Sequence, residues 1–314
     1  MKPSVTIIIV NWNSGSMLRE CLQHCLCQTV LPDAIIVVDN NSQDSSLDGV
    51  ETVPRVTVMR MAENLGFAAG NNRAIAKCVT DWVLLLNPDA FPEPRWLASL
   101  LAAAAAHPEV AAFGSRQMQH GRGGVLDGIG DSYHISGRIR RERYQRQCEP
   151  GDLVEREIFS PCAAAAMYRT DALRECGGFD EDFFCYAEDV DLGFRLLLAG
   201  YRARYVPNAV VQHIGSATGG GRHSDFAAYH GHRNLVWVFV KNMPGWLFWV
   251  LLPLHIGLNV ASLLLLIRRG QALVALRSKR DALRKLPTMW RRRQALMRSR
   301  RAGICEIWFK LKKI

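Results

Sequence analysis

Val5-Thr6-Ile7-Ile8-Ile9-Val10, closed by Asn11-Trp12-Asn13-Ser14-Gly15, is the stretch whose reading decides the fold. A near-continuous apolar run, rather than an alternating one, predicts a strand buried on both faces, as in a parallel sheet covered by helices. The next hundred or so residues repeat the scheme. Residues 16–28 read as a helix, 34–38 as a second buried strand ending in Asp39-Asn40-Asn41-Ser42, and Val56–Arg60 as a third strand. Glu63-Asn64-Leu65-Gly66-Phe67-Ala68-Ala69-Gly70-Asn71-Asn72 follows, with a helix to about Cys78. A fourth strand, Trp82–Leu86, ends in Asn87-Pro88-Asp89-Ala90, before a helix over 94–106 and a strand over 110–114. Repeated alternation of strand and helix predicts an α/β fold with a mostly parallel sheet and helices on both faces.

In such sheets ligands lie outside the carboxyl ends of the strands. The polar clusters at 11–14, 39–42, 64–72 and 87–89 all fall at or just beyond strand ends, so they converge on one edge. No G-x-G-x-x-G follows the first strand and no G-x-x-x-x-G-K-[ST] occurs, which argues against dinucleotide and P-loop chemistry. A phosphate site without a glycine cradle needs another charge partner, most simply a divalent metal. Asp89 is the obvious oxygen ligand. His213, in Val210-Val211-Gln212-His213-Ile214, is either a second ligand or a packed strand residue.

A second stretch carries the candidate chemistry: Gly178-Phe179-Asp180-Glu181-Asp182-Phe183-Phe184-Cys185-Tyr186-Ala187-Glu188-Asp189-Val190-Asp191-Leu192. Val190, Phe194, Leu197, Leu198 and Tyr201 recur at helical spacing, predicting a helix over about 188–199 stopped by Gly200. First-turn carboxylates are favoured there by the macrodipole, by roughly 0.3–1 kcal/mol each. At about 100° per residue, Glu188, Asp191 and Arg195 share a flank and are expected to pair with one another. Asp189 projects away from that cluster, beside aromatic walls, and is the candidate general base.

The net charge of +10 is unevenly spread. From Arg268 onward 16 Lys and Arg face only Asp281 and Glu306, a net of +14, which leaves −4 for the first 267 residues. Nine cysteines, an odd number, without a secretory signal at the N-terminus point to a reducing cytosolic compartment. Cys21, Cys25 and Cys27 lie on one predicted helix and read as buried thiols rather than a zinc site. Residues 116–158 hold Arg138, Arg140, Arg141, Arg143 and Arg146, read as a solvated hairpin in preference to an anion contact. Gly219-Gly220-Gly221-Arg222-His223 reads as a mobile loop suited to closing over a diphosphate.

The ordered set 5–13, Val37-Val38-Asp39-Asn40-Asn41-Ser42, Asn64-Leu65-Gly66-Phe67-Ala68-Ala69-Gly70-Asn71, Leu86-Asn87-Pro88-Asp89-Ala90, Gly177-Gly178-Phe179-Asp180, Glu188-Asp189-Val190-Asp191 and His213 resembles the inverting family 2 glycosyltransferases. The likeness is to the rhamnosyltransferase-like branch and covers roughly three-quarters of the chain. It implies a GT-A fold, a Rossmann-like mixed sheet flanked by helices, over residues 1–240. It implies that Asp39 holds the nucleotide base, with Asn64 and the Gly66–Gly70 turn, Phe67 included, shaping the same pocket. Asn11, Asn13, Asn71, Asn87 and Glu188 are the further nucleotide-sugar positions. Asp89, with His213, would hold Mg²⁺ or Mn²⁺ on the donor diphosphate, and Asp189 would deprotonate the acceptor hydroxyl. The family's metal motif is often Asp-x-Asp, and Asn87-Pro88-Asp89 lacks the first carboxylate. That lowers the expected metal affinity, while the Asn-Pro-Asp form points to rhamnose as the donor sugar. The resemblance further implies inversion in one displacement, without a covalent sugar–enzyme intermediate.

Residues 246–267 are uncharged over 22 positions, long enough to cross a bilayer, yet interrupted by Pro253, His255 and Asn259 and followed by the +14 tail. Positive-inside logic puts that tail in the cytoplasm, where the donor also resides, and one crossing cannot leave both ends on one side. We therefore expect residues 241–314 to form a hydrophobic helix pair broken near Pro253 plus a basic amphipathic tail, with Trp290 and Trp308 interleaved. That segment would sit at the inner leaflet, on the cytoplasmic face of the inner membrane. A helix buried against the main domain is the alternative. A nucleic-acid partner would leave the hydrophobic stretch unused, so none is expected. The expected activity is metal-dependent sugar transfer from dTDP-rhamnose or a UDP-hexose to a polyprenyl-diphosphate-linked glycan in bacterial surface polysaccharide synthesis (O-antigen, capsule or exopolysaccharide). The competing reading is a non-catalytic membrane-bound sugar-nucleotide binder, against which stand Asp89, Asp189 and His213 all being present.

Overall fold

The computed structural model describes residues 3–215, 221 and 224–313, so most of the 219–223 loop lies outside the described residues. The first half runs β1 (Val5–Asn11), α1 (Met17–Leu26), β2 (Ala34–Asp39), β3 (Val56–Arg60), α2 (Gly66–Ile75), β4 (Trp82–Leu86), β5 (Ala90–Pro92), α3 (Trp96–Ala106) and β6 (Val110–Gln119). Then come the short strands β7 (Leu126–Gly128), β8 (Asp131–Tyr133), β9 (Ile139–Arg141) and β10 (Arg156–Ile158). They lead to β11 (Ala165–Arg169), α4 (Thr170–Glu175), α5 (Glu188–Leu198) and β12 (Arg202–His213). A helical run closes the chain: α6 (Asp225–Asn242), α7 (Gly245–Arg268), α8 (Ala272–Arg284), α9 (Leu286–Ser299) and α10 (Ile304–Lys310).

The main sheet has the order β10-β12-β6-β11-β4-β1-β2-β3. β3, β2, β1 and β4 are parallel neighbours, as are β6 and β12, while β11 runs antiparallel between β4 and β6. The apolar run of β1 is explained by its two faces. Ile7 and Ile9 join Ile35, Val37, Leu84 and Leu86 under α1 and α3, and Ile8 joins Ile36, Val38, Val83 and Leu85 under α2 and α5. Side chains alternate faces along a strand, so burial of both faces requires an unbroken apolar sequence.

A third core ties the C-terminal helices to this body: Val190, Phe194 and Leu197 of α5 pack with Trp237 and Phe239 of α6, Leu247 and Leu251 of α7, Met289 of α9 and Ile307 of α10. The boundary at 240/241 falls inside α6, where Lys241 Nζ pairs with Asp191 Oδ1 at 2.6 Å and Asn242 Nδ2 donates to the same oxygen at 2.8 Å. The helix pair expected to break near Pro253 is instead the single helix α7, with Pro253 inside it. Proline removes the bond to the carbonyl four residues back and its ring crowds that carbonyl. Tertiary contacts offset that loss: His255 stacks on Phe239 with centroids 4.0 Å apart, and its Nδ1 donates to the Ser136 carbonyl at 2.8 Å. The basic tail is also less free than expected. Arg292 and Lys285 pair with Asp182, Arg301 with Glu175 and Lys310 with Glu157, while Trp290 packs on Phe248 and Trp249. By length and composition α7 could cross a membrane, and among the described residues it is the one helix that could.

Candidate active site

The carboxyl ends of the strands open into a cavity of about 660 Å³. β4 delivers Asp89 to it, and the antiparallel pairing of β5 with the end of β12 sets His213 opposite Ala90. His213 Nε2 consequently lies 3.4 Å from Asp89 Oδ1, while Asp89 Oδ2 accepts from the Gly215 amide at 3.1 Å. On its other side His213 Nδ1 donates to Asp127 Oδ2 at 2.8 Å. Burial opposes a charge on the ring, but Asp127 and Asp89 outweigh it and raise His213 to about 9. The same contacts hold both carboxyls below their usual range against the cost of burial. At 3.4 Å the Asp89 contact is an ion pair without hydrogen-bond geometry, so Nε2 has no hydrogen-bond partner among the described residues.

Asp127 Oδ2 also accepts from Arg141 Nη1 at 2.8 Å. Arg141 then reaches Cys162 Sγ at 2.6 Å and Asp131 Oδ1 at 3.8 Å. Asp131, Cys162 and Asp189 present donor atoms within 4.8 Å of one another, a geometry that could hold a cation. Arg141 already brings a positive charge to Cys162 and Asp131, and burial pushes the Cys162 thiol up, away from the thiolate a metal needs. The arginine-rich segment read as a solvated hairpin is thus half right: β8 and β9 do form a hairpin with Arg138 and Arg140 exposed, but Arg141 turns into the site.

Asp189 stands at the start of α5, where Oδ2 accepts from the Ala163 amide at 3.2 Å and Oδ1 from the Val190 amide at 2.8 Å. Burial raises its pKa, with Arg141 and the amides opposing. The preceding loop holds Phe184, Tyr186 and Ala187 at positive φ (64°, 68° and 64°), a conformation that costs a non-glycine residue of order 1–3 kcal/mol. Asn234 of α6 secures it, its Nδ2 meeting the carbonyls of Phe183, Cys185 and Tyr186 at 2.7–3.0 Å. The expected trio of Glu188, Asp191 and Arg195 is corrected here. Asp191 pairs with Arg195 at 2.8 Å and is saturated by Lys241 and Asn242 from α6. Glu188 is left facing the cavity, its Oε2 without a partner among the described residues, and burial together with the Asp189 charge raises its pKa far up.

Of the other positions named from sequence, Asn64, Gly66, Phe67 and Asn87 line the cavity, and so does Asn40. Gly66 has φ +80° and a Cβ there would meet Phe184 at 2.6 Å, so its glycine is required twice over. Asn11, Asn13, Asp39, Gly70 and Asn71 stand behind the wall. Asp39 is buried, accepting from Asn11 Nδ2 at 3.0 Å and the Ser42 amide at 3.2 Å. Asn13 accepts from the Gln43 amide at 2.7 Å, and Asn71 Nδ2 donates to the Phe67 carbonyl at 2.9 Å. Cys21 and Cys25 are buried on α1 with Cys27 exposed beyond its end.

The family model for glycosyl transferase family 2 matches residues 6–177. The chain belongs to that family. This glycosyltransferase is 31% identical over 257 residues to N-acetylglucosaminyl-diphospho-decaprenol L-rhamnosyltransferase of Mycobacterium tuberculosis, covering 73% of this chain and 82% of that one. It is 26% identical to the O-antigen chain rhamnosyltransferase RfbN of Salmonella typhimurium, over 67% of this chain and 66% of that one. Its fold matches GalNAc-T7, solved with UDP, GalNAc and Mn²⁺, with a TM-score of 0.62 at 15% identity, over 76% of this chain and 48% of that one. The expected GT-A architecture, the glycosyltransferase class and the kinship with rhamnosyltransferases all stand.

Proposed function

We propose that this glycosyltransferase moves a sugar, rhamnose by preference, from a nucleoside diphosphate (dTDP-rhamnose, or a UDP-hexose) to a polyprenyl-diphosphate-linked glycan, with inversion, in surface polysaccharide synthesis. The observation that carries it is the convergence of Asp189, Asp89 and His213 on one cavity from three distant segments. The rhamnosyl relatives and the diphospho-decaprenol in one relative's name favour the sugar and the lipid.

Asp89 and His213 fit a divalent ion. A buried imidazole nitrogen without a hydrogen-bond partner among the described residues faces a carboxylate oxygen, a hard O/N donor set suited to Mg²⁺ or Mn²⁺. When bound, the ion supplies charge neutralisation at the departing diphosphate. Asp127 accepts from Nδ1 and so orients the ring, and Nε2 would give up the proton that the ring otherwise carries there in exchange for a divalent ion. Asp189 takes the proton from the acceptor hydroxyl; burial raises its pKa, and the nearby Arg141 charge opposes that rise. With a single carboxylate assigned to proton transfer, attack on the sugar face opposite the leaving group inverts the anomeric centre. Asn64, Gly66 and Phe67, with Asp39 and Asn11 behind them, frame the nucleotide side.

The exposed side of α7, including Trp246, Trp249, Leu254 and Ile256, supports attachment to the inner leaflet at the cytoplasmic face, where sugar nucleotides are found. The test is transfer from dTDP-rhamnose to a polyprenyl-diphosphate-linked acceptor, with and without EDTA, for the native chain and Asp189→Asn. We expect the variant to bind donor with Mn²⁺ and lose about 10²–10⁴-fold in turnover. Full turnover by the variant, or full turnover in EDTA, would sink the corresponding assignment.

A further inference from the structure

The cavity continues past the catalytic residues to a wall made by the C-terminal helices. His232 and Leu235 of α6, Leu266 at the end of α7, and Arg269 and Gln271 in the turn to α8 line it. His232 Nδ1 is buried there without a hydrogen-bond partner among the described residues. Burial, with the charges of Lys279 and Arg269, holds that ring down to about 4, so it is neutral at physiological pH. Arg269 is exposed at this wall, and Lys279 lies beneath it, its Nζ donating to the His232 carbonyl at 3.0 Å. Gln271 is anchored by its amide to Asp225 at 2.7 Å.

From this basic end an apolar track begins. Leu264, Leu265 and Ile267 are exposed in the last turns of α7, and Val260, Ile256 and Trp249 continue the exposed surface toward its start. Cationic and hydrogen-bonding groups therefore stand between a sugar-sized cavity and a long greasy surface. A ligand complementary to all three carries a glycan, a diphosphate and a hydrocarbon chain, in that order. We propose that Arg269 and His232 seat the diphosphate of the lipid-linked acceptor at the α7–α8 turn, the polyprenyl chain leaving along the exposed side of α7 and the glycan pointing inward to Asp189. This rests on the lipid-linked acceptor reading above.

The experiment titrates the full chain in detergent with farnesyl diphosphate, with dTDP and Mn²⁺ saturating the donor side. We expect binding that weakens by about tenfold in Arg269→Gln, the scale of one charge-assisted contact. Arg291→Gln, an exposed arginine of α9, should bind as the native chain does. Inorganic diphosphate should bind about tenfold more weakly than farnesyl diphosphate, since it forgoes the apolar track. No binding by the native chain, equal loss in both arginine variants, native affinity in Arg269→Gln, or parity with inorganic diphosphate would each overturn the subsite. Displacement of dTDP by farnesyl diphosphate would also overturn it, by placing the probe on the donor side. Nucleotide binding is read in the same titration: if it is absent while Arg269-dependent farnesyl diphosphate binding persists, the donor reading fails and the subsite survives.

Discussion

Replacing Arg141 by Gln should shift the pH dependence of transfer without abolishing it. Asp189 must be ionised to accept a proton, and burial already raises its pKa while Arg141 holds it down. Its carboxylate lies within 4.8 Å of the Cys162 thiol, which Arg141 touches at 2.6 Å. At an effective dielectric of about 20, charges at that remove interact by about 2 kcal/mol, or about 1.5 pH units. Removing the cation raises the Asp189 pKa, so the acidic limb of kcat/KM moves to higher pH by one unit or more. At the foot of that limb the variant is slower by about tenfold or more, and above it the rates converge. Arg141→Lys should restore most of the limb. The assay is a kcat/KM profile from pH 5 to 9 at saturating Mn²⁺ for all three proteins. A uniform loss at every pH, or an unmoved limb, would refute the electrostatic role and leave Arg141 a packing residue.

Three further outcomes follow from the same contacts. Asp127→Asn weakens the acceptor that orients His213, so Mn²⁺ affinity, read by titration of the thermal shift, should fall about 10–100-fold with the fold intact. Asn234→Ala releases the three carbonyls that hold the positive-φ loop before α5. It should lower kcat and, because Phe184 of that loop packs against Gly66 on the nucleotide side, raise the nucleotide Kd as well. Asp191→Ala removes the carboxylate partner of buried Arg195, while Lys241 keeps its pair with Asp180, and should cost about 3–5 kcal/mol in urea unfolding, with no special effect on the pH profile.

The sheet was legible because parallel strands buried on both faces leave uninterrupted apolar runs, and Trp82–Leu86 coincides with its strand to the residue; Val56–Arg60 coincides too, although as the edge strand it is only partly buried. The strand-end clusters followed from the same logic. Asp127 and Arg141 were not legible. In β9, Ile139-Arg140-Arg141, strand alternation turns Arg140 out and Arg141 in, yet two adjacent arginines carry no signal for which is which. Asp127 enters through the short strand β7, paired to β6 across a register irregularity that no local pattern announces. Glu188 and Asp191 were paired by helical angle alone, whereas the partners that decide Asp191 come from α6, about fifty positions on.

α7 is where local reading and packing diverge most, and its consequence can be measured. Its 24 residues extend about 36 Å, enough for a bilayer. A crossing would put α8 to α10 on the opposite side from α5 and α6. That separation would break the ion pairs of Lys285 and Arg292 with Asp182, the bond from Trp237 Nε1 to the Ala282 carbonyl at 3.0 Å, and the burial of Met289 and Ile307. Those losses far exceed the gain from replacing one-sided by all-round lipid contact, because the packed side of α7 already buries Leu247, Phe248, Leu251 and Leu266 in protein. The packing therefore predicts that both ends of α7 stay on one side of any bilayer the protein meets. Cys27 on the catalytic body and Cys305 on α10 are both exposed, which makes them reporters of sidedness. In sealed inverted vesicles, a membrane-impermeant maleimide should label single-cysteine versions at both positions from the outside. Labelling of Cys27 with protection of Cys305 until detergent is added would establish a crossing and refute the packing argument.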